Sequence, residues 1–225
     1  MEKIVTYIAL FLFIFSIGPG QGMATVEDEP SQEVVRAAEN GLTAFVKNPE
    51  ISNLDRLGFI SVNGQAARDD AIIGKGFRIY TVPPQKILDE KEEVDLYSEA
   101  VPQTQWQFLI ETQGKAVSLM TIDRMGDQWE AVSIGSAGLA DQLKQLLQAW
   151  PPSDGYDHRL IRIYQAKSDF LAISKDNKVL GIIPMTSGRI AMNLEGGAFN
   201  TGDLRSSEEI VESIREAVME NMQSK

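Results

Sequence analysis

Residues 106–134, WQFLIETQGKAVSLMTIDRMGDQWEAVSI, hold the most regular pattern in the chain. Apolar and polar side chains alternate in three runs, which is typical of β-strands with one buried face. Short polar connections that contain Gly114 and Gly126 separate the runs, and connections of this length join neighbouring antiparallel strands. The pattern therefore predicts a three-stranded antiparallel meander.

Helices are predicted on both sides of this meander. Ser136 is the expected N-cap of a helix with leucines at 139, 143, 146 and 147, and Pro151 follows its end. Nearer the start of the chain, Ser31 precedes a helix whose apolar stripe ends near residue 48. Gly41 lies inside this stripe, where glycine is about 1 kcal/mol less favourable than alanine.

Further strands and a last helix complete the pattern. Additional strands are predicted at 77–82, 158–165, 170–174 and 179–185. Ser206 and Glu209 have the spacing of a capping box at the start of the last helix. The order helix, strands, β-β-β-α, β-β-β-α predicts an α+β fold of antiparallel meanders, each covered by a helix.

The first 24 residues differ in kind from the rest. Lys3 is followed by an apolar run over residues 4–17 and then by small residues, which is the order of a secretory signal peptide. Cleavage is expected after Ala24, with Gly20 and Gly22 as alternative sites. An uncleaved N-terminal anchor is the competing interpretation. The signal predicts export to a bacterial periplasm or to the exterior.

Three segments are expected after residues 1–24. Residues 25–30 are predicted to be a disordered acidic linker. Residues 31–150 hold the first helix, the meander and the helix that follows it. Residues 151–225 hold the remaining strands and the last helix, and are expected to pack with the preceding region as one unit.

The composition limits the chemistry and the partners. The chain has no cysteine, which excludes thiol catalysis, thiolate metal sites and redox switching. Its 21 basic and 32 acidic residues give a net charge of −11, which disfavours nucleic acids and anionic membranes as partners. A mature chain of about 200 residues is long enough to bury a core without disulfides.

The stretch IGKGFRIY, residues 73–80, suggests a phosphate-binding loop at first sight. Nucleotide-binding loops need four residues between their glycines and a helix afterwards, whereas Gly74 and Gly76 are one residue apart and precede a strand. The glycines are therefore interpreted as a bend or bulge, with Lys75 and Arg78 near the start of the strand. The sequence leaves open whether this strand is a sheet edge that accepts a partner's chain.

Two further motifs lack the context that catalysis needs. GSAG at 135–138 joins a strand to a helix, but a nucleophile elbow needs glycine at the position of Ile134. His158 is the only histidine and lies near Asp154 and Asp157, yet zinc and calcium sites need ligand patterns that this segment lacks. No catalytic residue, metal site or cofactor is predicted.

The candidate contact surface combines basic groups, an aromatic residue at a helix end and a glycine-rich loop region over 187–203, because binding residues are common on loops. Its members are Lys75, Arg78, Trp150, His158, Ser187, Arg189, Asn193, Asn200 and Asp203.

Three short motifs carry a resemblance to other proteins: the pair Leu57-Gly58, the segment GFRIY at 76–80, and GDQW at 126–129. Together they resemble a pattern in uncharacterised exported bacterial proteins, where a Leu-Gly pair precedes a strand and a short β-meander with Gly-x-Trp follows. The resemblance covers residues 57–135. It implies an exported origin and no catalytic residues.

These observations favour an exported, non-enzymatic protein that binds a protein, a peptide or an envelope component. The alternative is a carboxylate-dependent hydrolase outside the cytoplasm, which would need a deep pocket with two facing carboxylates. A cleft that joins residues 187–203 to residues 154–158 would support the hydrolase, and separate positions would weaken it.

Overall fold

The computed structural model describes residues 29–47, 59, 70–89, 93–194 and 199–223. The predicted signal peptide, residues 25–28 of the predicted linker and the pair Leu57-Gly58 lie outside the described residues. Within these described ranges no helix is long and apolar enough to cross a bilayer.

Five helices and seven strands make up the described part of the chain. The helices are α1 (Gln32–Lys47), α2 (Pro84–Leu88), α3 (Ala137–Ala149), α4 (Thr186–Ala191) and α5 (Ser207–Gln223). The strands are β1 (Ile72–Thr81), β2 (Val101–Thr112), β3 (Lys115–Met125), β4 (Gln128–Gly135), β5 (Tyr156–Ile163), β6 (Ser168–Lys175) and β7 (Lys178–Pro184). A single 3-10 turn, Pro152–Asp154, connects α3 to β5.

The seven strands form one sheet in the order β4-β3-β2-β1-β5-β6-β7. Neighbouring strands are antiparallel except β1 and β5, which run parallel. The predicted α+β class is confirmed. The two predicted β-β-β-α units are not confirmed as separate units, because β1 joins both strand triplets into a single sheet.

Helices cover both faces of the sheet because its central strands carry apolar side chains on both sides. On the first face, α3 packs through Leu143 and Leu146 onto a core that includes Phe77 and Ile79. On the second face, α1 covers the half with β2 and β3, and α2 and α5 cover the half with β5, β6 and β7. Arg78 of β1, opposite Trp106 of β2, belongs to this second face.

Strand β1 is the fourth of seven strands and not an edge. It pairs with β2 along most of its length and with β5 at Ile79 and Tyr80. The open question about IGKGFRIY is therefore answered: this stretch is the centre of the sheet. The register shift between Ile73 and Gly76 is the predicted bulge, although it lies inside the strand and not before it.

Close packing explains both glycines of β1. A β-carbon on Gly76 would lie 2.7 Å from the Phe108 ring, which is closer than van der Waals contact allows. A β-carbon on Gly74 would collide with the carboxylate of Glu111, which the Lys144 ammonium of α3 holds at 2.6 Å. The glycines let neighbouring side chains lie against the backbone.

Two of the three predicted caps make side-chain hydrogen bonds at the helix starts. Ser31 Oγ accepts a hydrogen bond from the Val34 amide at 3.4 Å. The Ser206 amide donates to the Glu209 carboxylate at 3.0 Å, and the Glu209 amide donates to Ser206 Oγ at 3.1 Å, which is the predicted capping box. Ser136 is the N-cap residue of α3, as predicted, but its hydroxyl makes no cap bond. Its backbone is left-handed, with φ of 60°, because β4 turns tightly into α3.

Gly41 allows α1 to approach β4 closely. A β-carbon at this position would overlap the Ala131 methyl group and lie 3.1 Å from the Met120 sulfur. The interior glycine that is unfavourable for the isolated helix is therefore required by the contact between α1 and the sheet.

We predict that Gly41→Ala lowers the free energy of unfolding by about 1–3 kcal/mol, because overpacking outweighs the gain of about 1 kcal/mol in helix propensity. Urea denaturation measures the change. Gly138→Ala in α3 is the matched control, since its β-carbon would meet no atom within 4 Å. Adding Ala131→Gly to Gly41→Ala should restore most of the loss. Wild-type stability in the single Gly41→Ala variant would contradict the packing argument.

Candidate functional site

The sheet opens between the first halves of its two parallel strands. β1 and β5 pair at Ile79–Leu160 and Tyr80–Ile161, and their preceding residues, 72–78 and 156–159, do not pair with each other. A cavity of about 90 Å³ lies in this opening. We call it the β1–β5 cleft.

Residues of both strands and of two neighbouring segments line the cleft. They are Glu29, Lys75, Gly76, Phe77, Arg78, Tyr80, Pro152, Tyr156, Asp157 and His158. Pockets for drug-sized molecules and cofactors measure roughly 300–1,000 Å³, whereas one water takes about 30 Å³ of liquid. The cleft therefore suits a few waters or one small polar group of a larger molecule.

His158 contributes a neutral imidazole. Burial lowers the pKa of His158 from 6.5 to about 4; a hydrogen bond to the Trp150 backbone raises it, and the nearby Lys75 ammonium lowers it further. Nε2 is buried and has no hydrogen-bond partner among the described residues. The bond to Trp150 is therefore made by Nδ1–H, and Nε2 carries an unshared electron pair that can accept a hydrogen bond.

Lys75 contributes a cation. Its Nζ lies 2.9 Å from the Glu29 carboxylate, and the two side chains are 33% and 74% exposed. Exposed ion pairs are worth only about 0.2–1 kcal/mol, because water solvates both partners well. The Lys75 ammonium is thus held in the cleft by a contact that another anion can replace at little cost.

Arg78 and Tyr80 form part of the cleft wall on the second face of the sheet. Arg78 Nε donates to the Gln103 carbonyl of β2 at 3.0 Å, which fixes the guanidinium along the strand. The Arg159 guanidinium lies between two rings, 4.4 Å from the Tyr80 centroid and 4.1 Å from the Tyr97 centroid. Cation–π stacking of this kind favours one orientation of each ring and so makes the wall rigid.

Four of the nine residues predicted as a contact surface meet at this place. Lys75, Arg78 and His158 line the cleft. Trp150 adjoins it, because its backbone bonds to His158 and its ring packs edge-on against Tyr156 with centroids 5.2 Å apart. Trp150 is half-buried, and its Nε1 donates to the Thr201 carbonyl at 2.8 Å.

The other five predicted residues lie outside the cleft. Ser187 Oγ accepts a hydrogen bond from the Asp169 amide at 2.9 Å. Arg189 forms an ion pair of 2.7 Å with Asp203. Asn200 Oδ1 accepts a hydrogen bond from the Gly202 amide at 2.9 Å, and Asn193 has a left-handed backbone just after α4. The prediction of a loop from residue 187 onward is wrong for its first part, because Thr186–Ala191 is the helix α4. None of the described residues of this region, 187–194 and 199–203, lines the β1–β5 cleft.

Sequence reasoning missed Glu29, Tyr156 and Asp157 as cleft residues. Glu29 falls in the segment predicted to be disordered, and no local pattern indicates that it reaches a strand 46 residues away. Tyr156 and Asp157 were expected in a turn, but β5 begins at Tyr156. Their position depends on the parallel pairing of β5 with β1, which leaves no signal in the local sequence.

A second, more open cleft of about 370 Å³ lies on the first face between α3 and α4. Arg162 and Asp169 line it and form an ion pair of 2.6 Å, while Ser187 and the exposed side chain of Ile190 form its rim. The charges of Arg162 and Asp169 in this cleft are therefore paired with each other. Across the described ranges, no group of three histidine, aspartate or glutamate side chains has an arrangement that could hold a metal ion.

Comparison with known proteins gives no relative. No protein-family model matches the chain, and no curated protein and no solved structure matches it. The function is therefore argued from the geometry of the β1–β5 cleft.

We predict that the imidazole of His158 stays neutral until the pH approaches 4. Because it is the only histidine, its ring gives a single set of NMR signals to follow. In the folded protein these signals should shift with a midpoint near pH 4, and in urea with a midpoint near 6.5. A folded-state midpoint above 6 would contradict the buried, unpartnered Nε2.

The same pKa shift predicts a loss of stability in acid. Between pH 6.5 and 4 the unfolded chain binds a proton at His158 that the folded chain does not, so the free energy of unfolding falls as the pH decreases. The His158 contribution reaches about 3 kcal/mol at pH 4. Carboxylates also titrate there, so the measurement is the difference between the wild type and His158→Gln, whose stability should fall less.

Proposed function

We propose that this protein is an exported binding domain that recognises a protein or peptide through the β1–β5 cleft. One observation supports the proposal most directly: Lys75 and His158 line the same small cavity, and the buried Nε2 of His158 has no hydrogen-bond partner among the described residues. A cation and a hydrogen-bond acceptor side by side can bind a partner group that is both anionic and a donor.

The size and the surroundings of the cleft support a docking role. A cavity of about 90 Å³ holds one side chain or chain end of a partner, and the rest of the partner would lie on the neighbouring surface. The stacked Tyr80, Arg159 and Tyr97 beside it present a rigid wall, which reduces the entropy lost on binding.

The export part of the proposal comes from the N-terminal sequence. The charged, apolar and small-residue order of residues 1–24 supports a secretory signal, and the absence of cysteine fits a chain whose core is large enough to fold without disulfides. The binding partner is then a protein or peptide of the bacterial envelope or exterior, and not a nucleic acid.

The cleft favours binding over hydrolysis by carboxylates. Glu29 and Asp157 both line it, but Glu29 is ion-paired to Lys75, and its side chain is largely exposed. A glycoside hydrolase would need two carboxyl groups that face the same bond. Among the described residues of this region, 187–194 and 199–203, none lines the cleft, so these residues add no third carboxylate to it.

We predict that selection from a random peptide library enriches peptides on the processed wild-type chain at pH 7. Lys75→Met should weaken the binding of these peptides at least ten-fold, because it removes the cation of the cleft. Lys178→Met, at the exposed first residue of β7, is the matched control and should bind as the wild type does. Fluorescence anisotropy of labelled peptides measures each affinity.

Two results would count against the proposed function. Enrichment of no peptide would argue against a peptide-binding domain. Equal loss of binding in Lys75→Met and Lys178→Met would show that general charge, and not the cleft, holds the peptides.

For export, we predict that the chain expressed with its own first 24 residues in a Gram-negative host is found in the periplasm and starts at Thr25. Intact mass spectrometry identifies the start. Leu10→Arg, which interrupts the apolar run, should leave the chain unprocessed in the cytoplasm. A wild-type chain that keeps Met1 and stays in the cytoplasm would overturn the export proposal.

A further inference from the structure

A carboxylate of the protein itself already occupies the β1–β5 cleft. Glu29 lines the cavity, and its carboxylate lies 2.9 Å from Lys75 Nζ. Its side chain is 74% exposed, so the salt bridge to Lys75 is the contact that places it there. Glu29 stands three residues before α1, whose start is fixed by Ser31 and whose apolar face is buried on the sheet.

The chemistry of the cleft matches an acidic peptide better than a simple anion. Lys75 pairs with a negative group, whereas the neutral His158 accepts a hydrogen bond at Nε2 and so repels a second negative atom. Sulfate at neutral pH offers only negative oxygens and no donor for Nε2. An acidic residue in a peptide offers a carboxylate for Lys75 and a backbone N–H for His158.

The net charge of −11 does not exclude such a ligand. At physiological ionic strength, charges further away than about 8 Å are strongly screened. The local field of Lys75 and Arg78 therefore decides binding in the cleft, and the remote acidic groups mainly slow the approach of the ligand.

We infer that the β1–β5 cleft binds the carboxylate of an acidic peptide, and that Glu29 is an internal competitor for the same position on Lys75. This inference rests on the proposed function, since it names the ligand class and the regulation of that site. The carboxylate of the ligand comes either from an aspartate or glutamate side chain or from a peptide C-terminus. Binding then requires that Glu29 leaves Lys75.

The size of the competition follows from the strength of an exposed ion pair. A contact worth about 0.2–1 kcal/mol leaves the Lys75 position occupied by Glu29 for a moderate fraction of the time. The apparent affinity for a ligand falls by the fraction of molecules that are open. Removing the charge of Glu29 should therefore increase the affinity for a carboxylate about two- to five-fold.

The test is a titration of ¹⁵N-labelled protein with defined peptides at pH 7, followed by NMR. The probes are acetyl-Ala-Ala-Glu-Ala-amide, its uncharged counterpart acetyl-Ala-Ala-Gln-Ala-amide, and acetyl-tetra-alanine with a free C-terminus. The protein variants are Glu29→Gln, Lys75→Met and the matched control Glu220→Gln, which makes the same change of charge on the exposed side of α5.

The expected result is that the glutamate peptide binds Glu29→Gln about two- to five-fold more tightly than it binds the wild type and Glu220→Gln, and that Lys75→Met loses binding. The His158 ring signals should move on binding, which a merely structural role of Glu29 would not cause. A gain confined to acetyl-tetra-alanine would identify a C-terminal carboxylate as the source.

Other results overturn the inference. Equal affinity for the glutamate and glutamine peptides would remove the carboxylate from recognition, and equal affinity of wild type and Glu29→Gln for every carboxylate probe would remove the competition. Either result would leave the proposed function intact if the peptides enriched from the library still bind more weakly to Lys75→Met than to the wild type. No binding of any carboxylate probe by any variant overturns the inference as well.

Discussion

The structure depends on a parallel contact of two residue pairs at the centre of its sheet. Ile79 and Tyr80 of β1 pair with Leu160 and Ile161 of β5, and this contact joins the two antiparallel halves of the sheet. These residues are almost completely buried, so the short pairing is stabilised by the packing of apolar side chains on both faces. The remaining residues of β1 instead follow β2, where the Phe108 ring lies directly on Gly76. The cleft arises because β1 pairs with β2 along most of its length and with β5 at only these two residue pairs.

The helices on the second face belong to two separate cores. α1 belongs to the core of the β2 and β3 half, and α5 belongs to the core of the β5 to β7 half. Between them the sheet carries Arg78 and the stack of Tyr80, Arg159 and Tyr97. Long cationic side chains cover apolar surface with their stems and keep their charged ends near water. Arg78 and Arg159 are of this kind, and both are partly buried.

Local patterns predicted the parts of this fold that depend on neighbours in sequence. The alternation over residues 106–134 and the capping box at Ser206 and Glu209 were sufficient for the meander and the start of α5. Two short helices were missed because prolines and glycines were taken as breaks. Pro84 stands at the first turn of α2, where proline is favourable, and Gly188 lets α4 approach the Asp169 carbonyl closely.

The parallel pairing of β1 with β5 brings together residues some 80 positions apart, and no local periodicity encodes such a contact. The sequence alone suggested Lys75 and Arg78 as basic groups and His158 as the only histidine. That these side chains line one cavity, and that Glu29 contacts Lys75 there, could be seen only from the topology.

Two of the predicted contact residues outside the cleft, Arg189 and Asp203, belong to a series of contacts that leads to it. Arg189 of α4 holds Asp203, and Arg205 holds the same carboxylate at 3.0 Å, which fixes the segment after residue 199. In that segment the Thr201 carbonyl accepts from Trp150 Nε1, and the Trp150 backbone accepts from the His158 imidazole. Each contact limits the movement of the next side chain in this series. The orientation of the His158 ring therefore depends on the ion pairs of Asp203, which do not contact it directly. A buried acceptor without a partner lowers stability, and it keeps one orientation only when surrounding contacts leave no alternative. The contacts from Asp203 through Trp150 to His158 supply that restriction, so we propose a supporting role for Arg189 and Asp203 beside the recognition chemistry proposed for His158 and Lys75.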